Sequence, residues 1–236
     1  MTTNTLSTKS FRFSDLLWEK KLSLIIIINI LLIGNMTLPN IGPLTAILFV
    51  LIALFIGKKQ GSFKSIGFIH QDRWLYTFAI GSFLGVVIQL AYSIVFDPLI
   101  MKMTGTPIDL SNFDTMRGNL PLFFIWLIIG IGFGGFLEEI TFRGYLITRL
   151  KLIIGDSPFS LIVILLLASV PFGFAHLYQD WGGVISTGSF AFIIGVIFIR
   201  SKYNLWMPIL THGFGNVVGL LLIYTNYDKV LNGLLF

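Results

Sequence analysis

Phe136-Leu137-Glu138-Glu139-Ile140-Thr141-Phe142-Arg143-Gly144-Tyr145 lies inside an apolar run that begins near Leu120 and continues to about Leu150. Two adjacent carboxylates and an arginine at bilayer depth are expensive, at about 2.5–3.5 kcal/mol each on insertion scales. The default reading of such groups is a functional site that faces protein or a wet cavity.

The rest of the chain explains why this run is read as a membrane span. Of 236 residues, 55% are hydrophobic and 11% are charged, and the mean hydropathy is +0.88. A soluble domain carries about 25% charged residues. Apolar runs of spanning length recur, so the expected fold is all-α, a polytopic transmembrane bundle of about seven spans. The runs are continuous rather than alternating, which excludes a transmembrane β-barrel.

The net charge of +5 does not indicate nucleic acid, because the Lys and Arg residues cluster between apolar runs, as in cytoplasmic loops beside anionic lipid. The chain has no cysteine, which excludes disulfides, thiolate metal sites and a cysteine nucleophile.

The expected order begins with a basic cytoplasmic segment, 1–21, with Trp18 at headgroup level. Three N-terminal spans follow within 22–119, at about Leu22–Met36, Ile41–Gly57 and Trp74–Phe96, the last closed by Asp97-Pro98. The connection 99–119 has room for a re-entrant or interfacial helix. A core over 120–225 holds the fourth span, a fifth at about Phe159–Tyr178 with Pro171 inside it, a sixth at Gly183–Ile199 and a seventh at Leu205–Tyr224. A short tail covers 226–236. Basic residues favour the N-terminus and the loops after spans two, four and six, which puts the N-terminus in the cytoplasm. The bias towards Ile, Lys and Asn fits a bacterial cytoplasmic membrane.

Strongly polar side chains in the last four spans fall at helical spacing. Glu139 and Arg143 are four apart and share a face, as do Phe172 and His176, and His212 and Asn216. Glu138 points about one hundred degrees away from Glu139, so one carboxylate is expected to face the reaction centre while Arg143 holds the other. With a rise of about 1.5 Å per residue, Glu138 and His212 come out at similar depths, and His176 deeper unless Pro171 bends its span. A carboxylate with an imidazole can deprotonate a water for amide hydrolysis, and an imidazole with an asparagine amide can stabilise an oxyanion. Glu138 with His176 suits the first task, and His212 with Asn216 the second. The same Glu138, His176 and His212 could instead hold a divalent metal such as zinc with an open water position.

Glu138-Glu139-x-x-x-Arg143, Phe172-x-x-x-His176 and His212-x-x-x-Asn216 together resemble the three-motif signature of the CPBP intramembrane proteases. That family includes the type II CAAX prenyl endopeptidases and the Abi proteins linked to bacteriocin self-immunity. The resemblance covers about 120–225. It implies a CAAX-protease-like core acting on a membrane-associated peptide or protein. It further implies that Glu138 and His176 activate water, that His212 and Asn216 line the oxyanion site, and that Glu139 and Arg143 support the first glutamate. The alternative is a non-enzymatic immunity protein in which the same polar groups join helices.

Overall fold

In a computed structural model the described residues are 21, 25, 26, 29, 30, 42–60 and 62–233. All but Lys21 of the basic N-terminal segment 1–21, and most of the first expected span, lie outside them. The described residues form helices and connections with no strand among them, an all-α polytopic membrane bundle. Helix α1 covers Gly42–Gln60. Four helices are long and apolar enough to cross a bilayer: α2 (Trp74–Thr104), α3 (Leu120–Ile154), one spanning Leu177–Arg200, and α6 (Trp206–Tyr224). Between α3 and the third of these lies α4, Pro158–Phe174, apolar but shorter. The third begins with a 3-10 turn, Leu177–Gln179, and its α-helical body, Asp180–Arg200, is α5. A last helix, α7 (Tyr227–Gly233), occupies what the sequence suggested was a plain tail.

Boundaries differ from expectation in two places that matter for the site. Span three does not close at Asp97-Pro98, because the helix continues to Thr104. Pro98 has no N–H to give the preceding turn, and the five residues before Asp97, Tyr92–Phe96, open into a wider π-turn that lets the chain pass through. Asp97 therefore stands inside the bundle wall and not in a loop. The fifth span stops at Phe174 rather than Tyr178, so His176 lies just past the helix, in the turn before Leu177.

The central element is α3. Its middle is π-helical over Gly130–Glu138 and Ile140–Ile147, wider turns of a kind that concentrate at functional sites. More residues share each such turn, so Glu138 lies closer to Arg149 than an α-helical rise implies. Every residue from Ile140 to Ile147 is buried, and around them gather Ile66, Leu165, Phe172, Ala191, Phe198 and Leu205. The first turns of α3 instead expose Phe124, Ile125 and Ile128, as expected for a face meeting lipid.

Helix α6 is clamped between α2 and α3 by glycines. A Cβ on Gly85 would run into the Thr211 carbonyl oxygen, and one on Gly135 would stand 2.8 Å from Gly213 Cα. Thr211 and Gly213 flank His212. Small residues that let membrane helices approach this closely thus fix the imidazole from both sides.

Candidate active site

The π-helical segment of α3 separates its two carboxylates. Glu139 is fully buried and its Oε1 accepts two hydrogen bonds, from Arg143 Nη1 at 2.8 Å and from His212 Nδ1 at 2.7 Å. Arg143 is itself buried, and its Nη2 donates to the Ala191 carbonyl of α5 at 2.7 Å. One carboxylate therefore ties α3 to α6, and its cation ties α3 to α5. Glu138, next in sequence, lines a cavity of about 710 Å³.

The same cavity is lined by His176, His212 and Asn216. His176 is held by the end of α4, where carbonyls lack helical partners. A carbonyl only accepts, so Nδ1 of His176 carries the proton it donates to Phe172 O at 2.9 Å, and in the neutral ring Nε2 is the free acceptor. The Phe172 ring stacks on the His176 imidazole with centroids 5.0 Å apart. Its other neighbours are His212 at 6.1 Å, Phe142 at 5.0 Å and the Arg143 guanidinium carbon at 5.3 Å from the ring centroid. Phe172 is thus an apolar spacer between two imidazoles. A second ring, Phe190 of α5, packs edge-on against His212 at 5.4 Å.

With Nδ1 engaged by Glu139, the Nε2 atom of His212 lies towards Gly134, 3.6 Å from where a Cβ would stand. Asn216 is beside it. Its Nδ2 donates to the Gly130 carbonyl at 2.8 Å and lies 2.5 Å from the same Cβ position on Gly134. An amide retains a second N–H beyond that bond. Gly134 and Gly130 also line the cavity, so bare backbone of α3 faces the imidazole and amide of α6.

The resemblance makes Glu139 and Arg143 supports of the first glutamate; the bonds present run from Arg143 and from His212 to Glu139. The metal alternative fails a fit test. Among the described residues no three His, Asp or Glu side chains are grouped so as to hold a metal ion. Glu138, His176 and His212 share a cavity without forming a ligand set.

The cavity also contains residues that the sequence reading passed over. Gln89, Ser93 and Asp97 of α2 line it, at spacings of four that would have marked a polar stripe in span three. The connection 105–119 contributes Ile108, Leu110 and Phe113 to the lining, and Arg117 fastens that connection to α7 through Asp228, with Nη1–Oδ1 at 2.7 Å and Nη2–Oδ2 at 2.8 Å.

No curated protein and no solved structure matches the chain. Residues 120–218 match the family model described as Type II CAAX prenyl endopeptidase Rce1-like. The matched stretch runs from the start of α3 into α6 and includes Glu138, Glu139, Arg143, Phe172, His176, His212 and Asn216. Residues 120–218 of this membrane protein are therefore a domain of the CPBP/CAAX protease family.

Proposed function

We propose that the chain is an integral-membrane endopeptidase that hydrolyses a peptide bond in a membrane-associated protein or peptide. The observation that carries this reading is a single cavity whose wall holds Glu138, His176, His212 and Asn216, within the stretch that matches the CAAX endopeptidase family.

Glu138 and the free Nε2 of His176 hold a water and take its proton as the oxygen attacks the scissile carbonyl. The C=O electrons move onto oxygen, and the tetrahedral oxyanion is met by Asn216 Nδ2–H and by His212 Nε2–H in the doubly protonated ring. Glu139 accepts from Nδ1 of that ring and offsets its charge, so a carboxylate one residue from the general base serves the oxyanion site instead. Collapse of the intermediate breaks the C–N bond, and the proton taken from water passes to the leaving amine.

Insertion with the N-terminus on the cytoplasmic face of a bacterial membrane is supported by the distribution of Lys and Arg between the apolar runs. The test is cleavage of membrane-anchored peptides by the full chain reconstituted in vesicles. Glu138→Gln and His212→Ala, each inserted normally, should abolish it. Undiminished cleavage by both would remove the peptidase reading, and undiminished biological activity without any cleavage would favour a binding scaffold such as an immunity protein.

A further inference from the structure

Helix α2 carries a polar stripe into the cavity wall. Gln89, Ser93 and Asp97 are spaced four apart and share a face, and all three line the cavity. Gln89 Nε2 donates to Ser93 Oγ at 3.3 Å, and Ser186 of α5 donates to Asp97 Oδ1 at 2.5 Å. Among the described residues no Lys or Arg lines the cavity, and Asp97 has no partner among the described ion pairs. A carboxylate inside a membrane bundle normally pairs with a cation or serves a transported or bound group. One serine hydroxyl leaves most of its acceptor capacity open to the cavity.

Its position relative to the proposed chemistry follows from α5. Ser186, which holds Asp97, and Phe190, which packs on His212, are four apart on that helix. The α5 residues that contact Asp97 and His212 are thus about one helical turn, roughly 5.4 Å, apart along the wall. An extended peptide advances about 3.3 Å per residue, so a group bound at Asp97 belongs within a few residues of the bond addressed by His212.

We propose that Asp97 is a specificity-determining residue that receives a Lys or Arg side chain of the substrate, within a few residues of the scissile bond. This rests on the reading of the cavity as a peptidase site. The substrate cation supplies the counter-charge that the wall lacks, and a charge-assisted bond of this kind is among the stronger ones available in a low-dielectric wall. An acidic side chain at the same register meets like charge.

The test uses the full chain in vesicles with membrane-anchored peptides that differ only in carrying Lys, Leu or Glu at one position near the cleaved bond. Lys at the matching register should raise kcat/KM over Leu by about tenfold, a difference expected of one charged hydrogen bond, with the gain mainly in KM. Asp97→Asn, which keeps an acceptor for Ser186, should erase the Lys-to-Leu ratio, and Asp97→Lys should invert it towards Glu. A Lys-to-Leu ratio near one in the parent, or one that survives Asp97→Asn, overturns the proposal. Binding of the same peptides to Glu138→Gln gives a second readout. Tighter Lys binding that Asp97→Asn removes supports the cation site even if no peptide is cut, and cleavage that persists in Glu138→Gln sinks the peptidase reading alone.

Discussion

His212 Nδ1 donates to Glu139 Oε1 at 2.7 Å, joining α6 to α3 across 73 residues of sequence. The bond fixes which imidazole nitrogen faces the cavity, and it supplies negative charge behind a ring proposed to meet an oxyanion. Glu139→Gln keeps the shape and loses the charge, so its amide must either turn its oxygen to Nδ1 or leave that donor unmet. We expect kcat for peptide cleavage to fall by about 10²–10³-fold, the scale of losing one oxyanion donor, with KM little changed. In a double variant, His212→Ala should add little further loss, because the two residues act as a unit. Additive losses would mean that the two residues act separately.

Arg143 is the other partner of that oxygen, and its contribution is to stability. Glu139 and Arg143 are both almost wholly buried, and removing one member of a buried pair costs up to about 3–5 kcal/mol, with His212 still meeting the Glu139 carboxylate here. Arg143→Leu should lower the unfolding free energy in mild detergent by up to that amount. Arg143→Lys should recover part of it and no more, since a single ammonium cannot easily reproduce the fork that reaches both Glu139 and the Ala191 carbonyl at 2.7 Å. Reversible unfolding followed by tryptophan fluorescence measures both variants, and an Arg143→Leu protein as stable as the parent would contradict the role.

The all-α membrane fold was legible because polar groups are too costly in lipid to hide: Glu139, Arg143 and His212 stood out against apolar runs. That Glu139 and Arg143 could pair was legible too, since a spacing of four holds for any helical turn near α geometry. Partners across helices were not legible. Which carboxylate reached His212 depends on the close approach of α3 and α6 at Gly135 and Gly213, and no one-dimensional spacing encodes that. Asp97 misled for a local reason. Asp-Pro is a strong turn signal, yet a π-turn at Tyr92–Phe96 absorbs the proline and carries the helix onward. The shift of His176 out of its helix has a similar origin, since its own side chain takes the Phe172 carbonyl that ends α4.

Removal of divalent metal should leave cleavage unchanged. Glu138, His176 and His212 do not form a three-ligand group among the described residues, and Glu139, the other carboxylate of the motif, is engaged by Arg143 and His212. Activity after treatment with a strong chelator and removal of bound metal by gel filtration should match the untreated protein within about twofold. Loss of activity that zinc restores, together with about one zinc per chain in elemental analysis, would require these side chains to regroup.

Gly134 gives the sharpest geometric test of the oxyanion assignment. A methyl group there would stand 2.5 Å from Asn216 Nδ2, well inside contact distance, whereas one at Gly132 meets nothing within 4 Å. Alanine is the better helix former by about 1 kcal/mol, so neither Gly→Ala change is expected to weaken the helix itself. Gly134→Ala must push the Asn216 amide off the Gly130 carbonyl and away from His212 Nε2, a displacement of several tenths of an ångström in a site that tolerates little. We expect Gly134→Ala to lose about 10²-fold in kcat while keeping its unfolding midpoint within a few degrees, and Gly132→Ala to remain fully active. If Asn216 only joins helices, Gly134→Ala will instead lower stability and leave the turnover of the folded fraction intact. Measuring both quantities on the same vesicle preparation separates a displaced catalytic amide from displaced helix packing.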